Sequence, residues 1–202
     1  MDTAYRFLLA VHGVAGAIAL LTFWIAAFAK KGSPLHRGVG KTYLISMRGI
    51  VLTAAPMAII IGRGGTPRIA TLLAYLVILT STSMWLGWRA IRRKRDQPGF
   101  RDTRYAAVAV LNLLASAMVF AIGVKISMTL LMGFSVVGVA TGVQMLMRRA
   151  KPMAATRWWL EEHFGAMVGC GVATHIAFLA IGLDRSIRAA GIDPPGWYHL
   201  IA

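Results

Sequence analysis

The sequence predicts an all-α fold, a six-helix transmembrane bundle with the N- and C-termini outside the cytoplasm. Three observations carry that expectation. Of 202 residues, 57% are hydrophobic and 14% charged, whereas soluble domains carry about 25% charge. The mean hydropathy of +0.65 is more than a soluble domain of this length can hide, so the surplus apolar surface must face lipid. The apolar residues also fall into six runs near the ~20 residues that cross a bilayer, with basic residues between them.

The first run spans about 7–29 and ends at Lys30-Lys31. It is longer than a signal-peptide core and follows no strongly basic leader, so it reads as a retained helix. The second, 42–62, contains Arg48 and Pro56, and the third, 69–88, closes on Trp85, Trp88 and Arg89. Between Tyr105 and Met147 the only charge is Lys125, which implies two helices, 105–123 and 126–147, joined by a tight turn near Gly123–Lys125. The sixth run, 158–183, lies between Trp158-Trp159 and Asp184-Arg185. Tryptophans at run ends fit an interfacial belt. The tail, 184–202, carries Pro194-Pro195-Gly196-Trp197-Tyr198 and is expected at the outer interface. Residues 1–202 therefore form one transmembrane domain.

Orientation follows from the basic residues. The first, third and fifth loops hold fifteen Lys and Arg; the N-terminus, the other loops and the tail hold six. The positive-inside rule places the odd loops in the cytoplasm. The net charge of +15 is thus a topology signal, and the partner it implies is the lipid bilayer, not nucleic acid. Cys170 is the sole cysteine, which excludes an internal disulfide framework. Close helix contacts in lipid need small residues; Gly138-x-x-x-Gly142, Gly165-x-x-x-Gly169 and the Gly13/Gly16 face are the candidates. Thr80-Ser81-Thr82-Ser83, Asn112 and Gln144 are expected to hydrogen-bond between helices.

Ionisable groups at membrane depth are costly and mark functional candidates. Counting from the run ends, His12 and His175 both lie about 9–14 Å below the outer boundary. Two imidazoles at one depth on different helices are what a haem b needs, one per axial position. A shared hydrogen bond, another metal or a proton relay are alternatives, as is a purely structural role for each histidine. On the cytoplasmic side Arg48 lies about 9–10 Å into the second run, and Glu161, Glu162 and His163 begin the sixth. An arginine beside a carboxylate limits the cost of burying either. Arg48 is therefore expected to pair with Glu161 or Glu162, as a structural clamp or as a polar pocket for a quinone head group, a proton or an anionic ligand. Glu161 and His175 share one face of the sixth helix. His36, in a segment whose Pro34 and glycines read as a structured turn, completes the polar cluster; with Glu161, Glu162 and His163 it could hold a metal. The eleven methionines show no copper-type repeat. No nucleophile–base pair emerges, so no catalytic residue is assigned.

Leu35-His36-Arg37-x-x-Gly40-Lys41-x-Tyr43, followed by Met47, resembles a segment in a family of bacterial multi-pass membrane proteins with no assigned activity. There a His-Arg-x-x-Gly-(Arg/Lys)-x-(Phe/Tyr) stretch precedes a helix. A helix ending like Trp88-Arg89-Ala90-Ile91-Arg92-Arg93 follows. The resemblance covers roughly residues 30–95, with a weaker echo from Trp159 to Phe178. It implies the topology and a bacterial inner (cytoplasmic) membrane, and no chemistry.

The leading expectation is a small membrane redox protein, with haem b on His12 and His175 and a quinone or proton site at the polar cluster. A non-enzymatic accessory subunit of a larger membrane complex is the first alternative. A small-ion or proton transporter is the second, although no internal repeat supports it. An intramembrane metalloenzyme is the remaining one.

Overall fold

The computed structural model describes residues 3–151, 154–183, 187–188 and 191–192. Among these every regular element is helical: α1 (Thr3–Phe28), α2 (Pro34–Arg63), α3 (Pro67–Arg92), α4 (Gln97–Phe100), α5 (Thr103–Lys125), α6 (Thr129–Ala150) and α7 (Trp158–Ala177). A π-helical turn, Phe178–Gly182, continues α7. Five stretches of the described residues are long and apolar enough to cross a membrane: α1, α2, α3, the α4–α5 stretch and α6. Phe7, Leu21 and Phe28 of α1 are 68, 67 and 82% exposed, as lipid-facing side chains are. The chain is a multi-pass membrane protein. The sixth expected run is helical too, but Glu161 and Glu162 dilute its apolar character at the start, and it is not among the five. The expectation for the 184–202 tail lies almost wholly outside the described residues.

Two expected boundaries move for local reasons. The segment around His36 is not a turn but the first two turns of α2. Ser33 caps it, its Oγ accepting from the His36 backbone N–H at 3.1 Å, and Pro34 takes the first helical position, where its missing N–H is harmless. The tight turn falls at Ile126–Met128 instead of Gly123–Lys125, with Ser127 in a left-handed conformation at φ 53°. Gly123 lies inside α5, where a Cβ would come within 2.9 Å of Met132 Cγ.

The chain divides into two compact units, residues 1–57 with 168–202, and residues 58–167. In the first, α1 and the start of α2 form a helical hairpin. Ala15 Cβ lies 3.4 Å from where a Gly49 Cβ would be, and Phe23 packs on Tyr43 at 5.9 Å. The end of α7 joins them through Gly171, whose missing side chain makes room for the Phe23 ring, and through Thr174, which donates to Met47 Sδ at 3.6 Å.

In the second unit α3, α5 and α6 pack around polar links and small residues. Tyr75 Oη and Ser116 Oγ share a hydrogen bond of 2.7 Å, and Asn112 Nδ2 donates to Thr82 Oγ1 at 2.9 Å. Gly138 and Gly142 sit against these contacts: a Cβ at Gly138 would overlap the Tyr75 and Ser116 hydroxyls, and one at Gly142 would meet Ala109 O at 2.9 Å. Gln144, by contrast, is exposed. Among the described residues, Gly13, Gly16, Gly165 and Gly169 have nothing within 4 Å of where a Cβ would be, so no close approach of the expected kind is seen there.

Packing of this kind has a measurable asymmetry. Gly138→Ala is expected to destabilise the detergent-solubilised protein by about 1–3 kcal/mol through overpacking. Gly165→Ala should stay within about 0.5 kcal/mol of the parent. Thermal unfolding of the two variants side by side checks this.

Candidate functional site

The second unit gathers charge where α3 and α6 end and α5 and α7 begin. The chain leaving α3 is Arg92-Arg93-Lys94-Arg95-Asp96, too basic to continue an apolar helix. Asp96 stops it and caps α4, its carboxylate accepting from Gly99 N at 2.8 Å and from Arg93 Nη1 at 2.7 Å. The Gly99 N–H first, then Arg93, hold this carboxyl below the usual aspartate range. One turn later Phe100 is fully buried, 5.2 Å from Tyr105 and 5.0 Å from Trp158, in a cluster with Leu86, Ala90, Ala109 and Met145. Beside the anchored Phe100, Arg101 is buried as well. Asp102 then caps α5 by accepting from Tyr105 N at 3.1 Å.

Four arginines meet two carboxylates around this anchor. Arg89 reaches Asp102 at 2.8 Å and the Gly99 carbonyl at 2.6 Å, with its guanidinium 4.8 Å from the Trp85 ring centroid. Glu162 of α7 is shared: Oε1 accepts from Arg101 Nη2 at 3.3 Å, and Oε2 forms an ion pair with Arg148 Nη1 at 2.8 Å. The Arg101 and Glu162 side chains are 4% and 5% exposed. Arg149 donates from Nε to the Arg101 carbonyl at 3.2 Å. The cluster therefore keeps two positive charges in excess. Arg101 Nε and Nη1 and Arg89 Nε, all buried, have no hydrogen-bond partner among the described residues. An open cleft of about 520 Å³ lies beside Arg101, lined by Gln97, Pro98, Arg101, Leu146, Arg149 and Ala150.

Of the polar cluster expected from sequence, only Glu162 enters this site. Its partners are Arg101 and Arg148, not Arg48, which is exposed on α2. Glu161 is exposed. His163 uses Nδ1 to bond the Gly87 carbonyl at 2.9 Å, docking α7 on α3. His36 likewise bonds the Ala26 carbonyl at 3.0 Å, closing the α1–α2 hairpin. Among the described residues no group of three or more His, Cys, Asp or Glu could hold a metal ion. In the sequence, the arginines that build the site stand out only as a cytoplasmic topology signal. The hint to their burial is local: Phe100-Arg101-Asp102 sets an aromatic residue and a helix cap on either side of one arginine.

The two histidines expected to share a haem do not meet. His12 on α1 bonds Thr53 Oγ1 on α2 at 2.9 Å; because that hydroxyl donates to the Gly49 carbonyl at 2.8 Å, the imidazole Nδ1–H is the donor to it. His175 lies level with Trp24, whose indole Nε1–H donates to His175 Nε2 at 2.9 Å, while His175 Nδ1 donates to the Gly171 carbonyl at 2.7 Å. From His12 to Trp24 the α1 axis rises roughly 18 Å, and the two imidazoles are held by separate neighbours in this structure. The Nε2 lone pair of His175 is moreover already occupied by the indole. Equal depth counted from run ends failed because α7 is displaced lengthwise relative to α1, which no count within a single helix reveals.

No protein-family model matches the chain, and neither a curated protein nor a solved structure matches it.

A carboxylate that neutralises two guanidiniums in a buried site cannot be removed cheaply. Glu162→Gln is expected to lower stability by about 3–5 kcal/mol, against little change for Glu161→Gln at the exposed neighbour. Comparison of their unfolding midpoints in the same detergent is the check; equal midpoints would remove the triad from the structural account.

Proposed function

We propose that this chain is a multi-pass bacterial inner-membrane protein that binds an anionic ligand at its cytoplasmic face, in the arginine-lined cleft at the end of α6. One observation carries the reading: Arg101 and the exposed Arg149 both line the cleft, in a cluster with surplus positive charge, and two buried nitrogens of Arg101 are unpaired among the described residues. Guanidinium N–H groups in a partly dehydrated site bind phosphate or carboxylate through strong charge-assisted hydrogen bonds. Leaving them unmet costs free energy that an anion recovers. The cytoplasmic placement rests on the basic-residue bias of the odd loops. Carriage of the anion across the membrane is the transporter form of the same reading.

The redox reading, with haem b on His12 and His175 and a quinone at the polar cluster, has less to support it. Its motivating geometry was the matched depth of the two imidazoles, and each is engaged with a separate neighbour. The accessory-subunit reading draws on the broadly exposed apolar face of α1, which lipid alone also accounts for.

Thermal unfolding in neutral detergent separates these. Pyrophosphate or phosphate, at ionic strength matched with chloride, is expected to stabilise the protein, by about 2.7 kcal/mol at a hundredfold excess over Kd. Arg149→Glu should abolish most of that gain. No stabilisation over the chloride control defeats the anion reading. Haem-replete expression is expected to give no Soret band in the purified protein, and a stoichiometric band would restore the redox reading.

A further inference from the structure

The cleft is not polar throughout. Gln97, Arg101 and Arg149 supply one wall, and Pro98, Leu146 and Ala150 supply an apolar one. The apolar wall continues along α6. Val139, Val143, Leu146 and Ala150 follow one another at spacings of four, three and four residues, which keeps them on a single face of the helix. Val139 and Val143 are 41% and 42% exposed, so the face is open to the surroundings. From Ala150 to Val139 it runs roughly 16 Å along the axis, close to the depth of one leaflet, half of a hydrocarbon core of about 30 Å. A free anion would use the arginines and leave this face idle.

Building on the anion reading above, we infer that the ligand is an anionic phospholipid of the cytoplasmic leaflet, its phosphate on Arg101 and Arg149 and an acyl chain along the Val139–Val143–Leu146–Ala150 face of α6. The chemistry of both ends agrees with the site. The phosphate diester carries one negative charge and acceptor oxygens that match the planar guanidinium donors. Basic pockets between membrane helices on the cytoplasmic side are the usual setting for acidic head groups. The site lies where α6 meets the basic Arg148-Arg149 pair, which is the depth of a headgroup if the odd loops face the cytoplasm. Arg148 is engaged with Glu162, so the lipid meets the cleft-lining Arg149 and Arg101 without disrupting the ion triad.

The test uses the full chain in neutral detergent, supplemented with phosphatidylglycerol, with phosphatidylcholine at the same mole fraction, or with inorganic phosphate or glycerol 3-phosphate. Unfolding midpoints and native mass spectra of retained lipid are read for each. Phosphatidylglycerol is expected to raise the midpoint and remain bound where phosphatidylcholine does not, with affinity at least tenfold above that for glycerol 3-phosphate. Arg149→Glu should lower the phosphatidylglycerol affinity by tenfold or more. Gln97→Glu, which brings negative charge to the same polar wall, should act in the same direction if the first variant fails to fold. Equal effects of the two lipids overturn the inference. So does a phosphatidylglycerol gain that survives both charge variants. If phosphate stabilises while phosphatidylglycerol adds nothing over phosphatidylcholine, the lipid fails and the anion reading stands; if neither acts, both fall.

Discussion

Burying the Arg101–Glu162–Arg148 triad is the constraint around which the second unit is arranged. Removing such groups from water costs several kcal/mol per ion, recovered only when geometry and hydrogen bonds are good. Glu162 meets that condition by giving one oxygen to each arginine. Because the three side chains come from the segment before α5, from the end of α6 and from the start of α7, the triad sets where those elements meet. Phe100 is buried alongside: its ring belongs to the apolar cluster with Tyr105 and Trp158, and the adjacent Arg101 is buried with it. The aromatic cluster supplies the driving force, and the carboxylate makes the accompanying charge tolerable.

The same logic explains the asymmetry of the site. Two carboxylates among four arginines satisfy cohesion but not neutrality, and the orphaned nitrogens of Arg89 and Arg101 are where the deficit is left. Of these two arginines, Arg101 is among the residues that line the open cleft.

The histidines illustrate how polar side chains serve helix pairing in lipid. Each of the four described ones bonds an oxygen through Nδ1: Thr53 Oγ1 for His12 and a backbone carbonyl for His36, His163 and His175. Without water, a hydrogen bond of this sort is the means available to satisfy an imidazole, and it holds helix to helix when the acceptor lies on a neighbour. Trp24 and His175 go further, joining two aromatic side chains edge to face at 5.5 Å as well as by the indole N–H. Such roles need no cofactor.

Hydropathy and the spacing of basic residues made the helical membrane fold legible, because lipid imposes a length and a composition on every crossing. Gly138, Gly142, Asn112 and Thr82 were legible as helix contacts for the same reason: in lipid only small or hydrogen-bonding residues bring helices together. The capping of α2 by Ser33-Pro34 was also written locally, although the glycines after it pointed to a turn. What the linear order could not carry was the lengthwise offset between helices. Depth is counted within one helix, whereas contact depends on how far neighbours slide past each other, and that is decided by side-chain packing such as Gly171 beneath Phe23. For that reason His12 and His175 part, and Glu162 turns from Arg48 to arginines that had looked like loop charge. The sequence by itself determined the class of element and its medium; tertiary packing alone decided which charges were buried together, since burial follows from apolar neighbours drawn from several distant segments.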